Sequence, residues 1–333
     1  MKKTKILLVL MLAISVLAVM TGCDGEPTGN STSADQAELY KFIPESATGL
    51  FTINFKKLSS ISAFDKIKNE MKFDEISKKQ KFFKDYADFI QKTGIDPKKD
   101  INSAVMAIFG EIDEKEPEVS VIADLKYNKE KLLSLLKNSG KDFQTSDLNG
   151  MTLYSGKDEK GKEAGLIFLS DKLITAGSIE GVKTIAAMVG KQGKTILDDP
   201  KMKSYMEKAG SSSIFSFVFR FPEKMKGMKG NSMIQADLSK AEALYGNVDF
   251  SSNTWSGKFV LVSLNEEGNN KLVTTLNGLK GLGAMGGPEI AELINNIDIN
   301  ATPDSIILSF EISNELLEKL KKKAEEKSKS FIN

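Results

Sequence analysis

Histidine is absent from this sequence and cysteine occurs once, at position 23, so the reactive inventory is carboxylate, lysine, tyrosine and hydroxyl. Without imidazole there is no Ser-His-Asp triad, no Cys-His pair and no histidine-ligated metal. Without a second thiol there is no disulfide and no Cys-rich zinc site. Arg220 is the sole arginine, so bidentate clamping of a carboxylate or phosphate falls to it alone. It closes a regular strand in which Phe215, Phe217, Phe219 and Phe221 face one way and Ser216, Val218 and Arg220 the other. Arg220 admits two readings. It is a ligand contact that clamps an anion or headgroup, or it lies across a sheet and pairs with a neighbouring carboxylate. The phenylalanines are core or, in the functional reading, ligand lining.

The remaining chemistry-bearing stretches have structural explanations. Gly190-Lys191-Gln192-Gly193-Lys194-Thr195 ends like a phosphate-cradling loop, but Met188 stands where that pattern needs glycine and a helix rather than a strand precedes it. Gly278, Gly281, Gly283, Gly286 and Gly287 with Pro288 show neither phosphate-loop nor dinucleotide spacing. Phe82, Phe83, Tyr86, Phe89 and Ile90 form an aromatic stripe at helical spacing, suited to helix-on-sheet packing or to an acyl-chain groove. Lys224 to Met233 alternates lysine, glycine and methionine, a basic segment with soft apolar tips that fits a solvated linker, a bilayer contact or a lid. Carboxylates are abundant, yet no spacing brings two of them to the separation a glycosidase needs. No cofactor is expected.

Forty-six Lys and Arg against forty-five Asp and Glu leave no positive excess to draw a phosphate backbone, so nucleic acid is not an expected partner. The amino terminus is more specific. Lys2, Lys3 and Lys5 precede an apolar run from Ile6 to Met20, the n-region and h-region of a secretory signal and short for a membrane span. The run exits into Met20-Thr21-Gly22-Cys23, which resembles the bacterial lipobox, with methionine where leucine is commonest. The resemblance implies cleavage after Gly22, diacylglycerol on the Cys23 thiol and fatty acyl chains such as palmitate as the membrane anchor. Two or more chains hold stably, each buried methylene contributing about 0.8 kcal/mol. Asp24 to Glu38 is almost without apolar residues and reads as a tether. Asp24 directly after the cysteine resembles an inner-membrane retention signal of enteric bacteria.

These features need an exported body to carry them, and its sequence repeats one unit: an alternating strand, a polar cap, an amphipathic helix. Val119 to Leu125 alternates, then Asn128 caps a helix bearing Leu132, Leu133, Leu135 and Leu136. Ile306 to Ile312 alternates, then Ser313 or Asn314 opens a helix bearing Leu316, Leu317 and Leu320, with Glu315 and Lys319 paired on its outer side. Weaker copies span Leu173 to Val189, capped by Ser178, and Lys258 to Leu276, capped by Asn265. The expected fold is α+β in two similar halves, each a mainly antiparallel sheet with helices on one face. The organisation is signal peptide 1–22, tether 23–38, first half 39–210 and second half 211–333, an internal duplication. Ile43-Pro44-Glu45-Ser46-Ala47 and Gly94-Ile95-Asp96-Pro97-Lys98-Lys99-Asp100 resemble domain-of-unknown-function families of exported bacterial proteins, which carry no assigned reaction.

The expectation is therefore a lipoprotein anchored through Cys23 on the extracytoplasmic side of the cell envelope, not an enzyme, its body binding or scaffolding an envelope protein. The alternative is a carrier or sensor of a lipid or other amphiphile in a groove between sheet and helices. An apolar pocket favours the carrier, a filled core with an exposed apolar patch favours the scaffold, and two facing acids favour a hydrolase.

Overall fold

Polar side chains close the helix starts where the sequence places them. The computed structural model of the protein describes residues 34–61, 90–110, 117–138, 143–157, 163–190, 193–210, 212–221, 240–263 and 265–330. Asn128 Oδ1 accepts from Lys131 N at 2.8 Å, Ser178 Oγ from Gly181 N at 3.3 Å, Asn265 Oδ1 from Gly268 N at 3.1 Å and Ser313 Oγ from Leu316 N at 3.2 Å. Each satisfies an N–H that a helix cannot pair internally. Gly94, at φ 72°, ends a helical turn in the left-handed conformation that glycine tolerates, and its N–H donates to Ile90 O.

Among the described residues the helices are α1 (Ala34–Tyr40), α2 (Phe55–Ser60), α3 (Pro97–Asp100), α4 (Lys129–Asn138), α5 (Ile179–Ala186), α6 (Pro200–Ala209), α7 (Glu266–Gly283), α8 (Pro288–Asn295) and α9 (Asn314–Ser330). The strands are β1 (Ala47–Asn54), β2 (Ile101–Phe109), β3 (Glu118–Leu125), β4 (Gln144–Leu148), β5 (Met151–Lys157), β6 (Glu163–Phe168), β7 (Leu173–Ser178), β8 (Phe215–Arg220), β9 (Ala241–Ser251), β10 (Thr254–Ser263), β11 (Ile297–Thr302) and β12 (Ser305–Ser313). They form one 12-stranded sheet in the order β11-β12-β10-β9-β8-β1-β2-β3-β7-β6-β5-β4, with every neighbouring pair antiparallel. The protein is thus α+β with a large antiparallel sheet.

The two halves share that sheet instead of each closing its own. Their opening strands pair at the centre, with Gly49 opposite Phe219, Phe51 opposite Phe217 and Ile53 opposite Phe215. Both strands carry buried side chains along much of their length, so neither can sit at an exposed edge without cost. Outward from this seam the order is β1-β2-β3-β7-β6 on one side and β8-β9-β10-β12-β11 on the other. The second half therefore replays the strand order of the first, and β5 and β4 extend the first half alone.

The helices divide between the faces. Leu50, Val105, Val218, Tyr245 and Val260 pack with Tyr40 of α1, Met202 and Met206 of α6 and Ile185 of α5. Trp255 lies five residues from Val260 on an unbroken strand, hence on the opposite face, where it joins Phe250, Phe310 and Ile312 under Leu316 and Leu317 of α9. A third cluster, Leu153, Ile167, Val182 and Ala186, seats α5 on the first face. The covered face of β3 is Ser120, Ile122 and Asp124, while Val121 is 37% exposed. Ser120 is satisfied across strands, its Oγ pairing with Thr175 Oγ1 at 2.8 Å, and Thr52 Oγ1 of β1 pairs with Tyr40 OH of α1 at 2.9 Å, whereas Asp124 Oδ1 is buried without a partner.

Candidate functional site

Arg220 is the last residue of β8, and alternation puts it on the face of Ser216 and Val218, which α6 crosses. Asp199, immediately before α6, caps that helix: its Oδ1 accepts from Lys201 N at 2.9 Å and Met202 N at 3.1 Å. Its Oδ2 takes Arg220 Nη1 at 2.5 Å. The other arm of the guanidinium, Nη2, donates to Glu45 O at 2.6 Å and Ala47 O at 2.7 Å, in the segment leading into β1. One planar fork thus ties the start of α6, the end of β8 and the approach to β1. Nε is buried without an acceptor.

The surroundings extend this brace. Lys201 pairs with Glu242, and Tyr205 of α6 stacks on Tyr245 of β9 with centroids 5.5 Å apart and planes 16° from parallel. Burial, reinforced by the Glu242 carboxylate, pushes the Tyr205 phenol up to about 12. Burial likewise raises the Tyr40 phenol, even though hydrogen bonds from Thr52 and Ser216 oppose the shift. Asp199 and Glu242 are each paired with a cation. The cavity beneath α1 and α6, bounded by Tyr40, Thr52, Met206 and Ser216, is about 10 Å³ and has room for one water; an acyl chain needs hundreds. Among the described residues no cluster of three Cys, Asp or Glu side chains is arranged to hold a metal.

The other residues singled out by sequence are dispersed. Phe215 packs at the rim of the second core cluster, and Phe217 meets Phe259 with ring centroids 5.4 Å apart, so these rings serve the sheet face opposite Arg220. Gly190, at φ 70°, ends the turn after α5; Thr195 and Asp198 form a capping box, and Thr195 bridges Pro44. Cys23, the stripe from Phe82 to Phe89 and the segment Lys224 to Met233 lie outside the described residues.

Sequence reasoning missed one surface. Leu279, Leu282 and Met285, at the end of α7 and in the turn beyond it, are 51%, 66% and 84% exposed. A Cβ built on Gly278 or Gly281 meets nothing within 4 Å. The signal was in the spacing: Leu272, Leu276 and Leu279 continue one apolar stripe. Lys280 Nζ already reaches Ile297 O, the first residue of β11, so the stripe outruns the strand it packs on.

No family model matches the chain, and no curated protein matches it in sequence. Solved structures do. Crystal form III of TP0453 superposes with a TM-score of 0.50 at 12% identity, covering 84% of this chain and 96% of that one. Crystal form IV of TP0453 gives 0.45 at 12% identity over 84% and 95%. At this identity the first match shows a shared fold and nothing more.

Proposed function

We propose that this chain is a lipoprotein of the bacterial cell envelope, held on the extracytoplasmic side of a membrane by acyl chains on Cys23, and that its body is a noncatalytic binding or scaffolding module. The anchor rests on Met20-Thr21-Gly22-Cys23 at the exit of a charged-then-apolar leader, with no other thiol in the chain. One observation carries the body's role: three large apolar side chains, Leu279, Leu282 and Met285, stand exposed at the end of α7 and in the turn beyond it. The residues best equipped for chemistry, Arg220, Asp199 and Glu242, are spent on internal ties. No described helix is long and apolar enough to cross a membrane.

Intact mass and phase partitioning test the anchor. The native protein should enter the detergent phase carrying a diacylglyceryl adduct on a mature terminus beginning at Cys23, and Cys23→Ser should leave the membrane fraction. A native protein with a free thiol, or a variant still fully membrane-bound, contradicts the reading.

A further inference from the structure

We infer that the overhanging end of α7, with Leu279, Leu282 and Met285, is a lipid-contacting surface that seats the body on the bilayer to which Cys23 is tethered; the inference rests on the anchor proposed above. Leu282 lies one turn beyond Gly278 on the same side of α7, Met285 follows in the turn after the helix, and a Cβ built on Gly278 or Gly281 meets open space. Nearby charges are already engaged. Lys280 donates to Ile297 O, and Lys323 pairs with Glu289 of α8. What the surface offers is therefore apolar, and it fits hydrocarbon at the headgroup boundary better than an anionic ligand.

The tether favours the same occupant. The chain enters the body at α1, where Glu38 pairs with Lys172 at 3.3 Å, and Lys172 O accepts from Leu125 N at the end of β3. Traced through the strand registers, this is the end of the sheet at which β11 begins, beneath the overhang. From β3 to β11 is seven strand steps, about 34 Å at the usual spacing. The stretch from Cys23 to Ala34 spans at most about 40 Å in any conformation. Twist fans the strand ends apart, yet that reach lets the anchor and the overhang meet one bilayer.

Lipidation blocks the only native thiol, so Met285→Cys gives the lipidated full-length protein a single labelling site. In phosphatidylcholine vesicles a bimane label at position 285 should be quenched by lipid-borne nitroxides and shielded several-fold from aqueous iodide. A label introduced by Lys258→Cys, exposed in the middle of β10, should show the reverse. Leu279→Cys provides a second site should position 285 perturb the turn. Replacing Leu282 and Met285 together by glutamine should return a label at position 279 of the lipidated, vesicle-bound protein to quenching by aqueous iodide. Equal iodide quenching at 285, 279 and 258 on lipidated, vesicle-bound protein overturns the inference while leaving the anchor intact. Absence of the diacylglyceryl mass overturns the anchor instead.

Discussion

Arg220→Met tests whether the brace at the end of β8 is structural. The substitution keeps the apolar stem and deletes three hydrogen bonds, to Asp199 Oδ2, Glu45 O and Ala47 O. The side chains of Arg220 and Asp199 are 29% and 19% exposed, so the pair is partly desolvated without being sealed from water. A fully buried pair that loses one partner costs about 3–5 kcal/mol, and an ordinary hydrogen bond contributes about 1 kcal/mol net. The Glu45 carbonyl is exposed and water can replace its donor, whereas the Ala47 carbonyl and Asp199 recover less. The expected loss is about 3 kcal/mol, or roughly 6 °C at about 2 °C per kcal/mol for a body of this size. Arg220→Lys should recover only part of it, because a single ammonium cannot span a carboxylate and two carbonyls in the guanidinium plane. Asp199→Asn retains the helix cap, so a double-mutant cycle with Arg220→Met isolates the ion pair; a coupling of about 1–2 kcal/mol is expected. Urea and thermal unfolding followed by circular dichroism supply the numbers. A loss below about 0.5 kcal/mol refutes this reasoning. So does stabilisation by added phosphate that Arg220→Met abolishes, which restores the anion clamp.

Two further predictions address the sheet and the tyrosines. Gly177→Ala places a Cβ 2.2 Å from Val119 O and 2.8 Å from Ser120 Cα, backbone that cannot turn aside, and should cost more than about 2 kcal/mol by prising β7 from β3. Gly278→Ala, in open space inside α7, should instead stabilise by up to about 1 kcal/mol, and equal thermal midpoints for the two variants count against this register. Because Tyr205 is held neutral up to about 12, the unfolded phenol ionises first, near pH 10; stability is complete below that pH and declines as pH rises from about 10 to about 12. Absorbance titration of folded wild type against Tyr205→Phe checks this, and a wild type whose tyrosines all ionise near pH 10 disproves it.

The elements were legible in the sequence wherever periodicity and a cap agreed. Ser178, Asn265, Asn128 and Ser313 cap the helices assigned to them, and β3, β7, β10 and β12 fall where alternation predicts. β4, Gln144–Leu148, was not legible: it is an almost wholly exposed polar edge strand with no apolar face to alternate. Nor could alternation tell which face is covered. On β8 the phenylalanines look like the core side, yet Ser216 and Val218 lie under the helices. Both faces of a central strand are apolar enough to bury, and the choice is made by α6, which Asp199 and Arg220 fix in place. Such a tie spans residues 45, 199 and 220 and leaves no local pattern.

The overhang of α7 shows where local reading stops and tertiary geometry begins. A stripe of Leu272, Leu276 and Leu279 predicts a buried helix face, and for its first turns that holds: Asn269 is buried, with Nδ2 donating to Ser263 O and Thr302 O at the sheet's edge. Whether the last turn is also covered depends on the length of β11, which opens only at Ile297, and on α8, whose Ile294 and Ile290 lie against Gly283 and Gly286. The glycines let α8 fold back closely on one side of the turn, and that closeness leaves the other side without a neighbour. Exposure of Leu282 and Met285 is thus a product of the packing that makes the rest of the helical layer compact. Three large apolar groups within seven positions gain nothing for the fold by standing in water. Contact with hydrocarbon, as proposed above, would give them a burial that the fold does not.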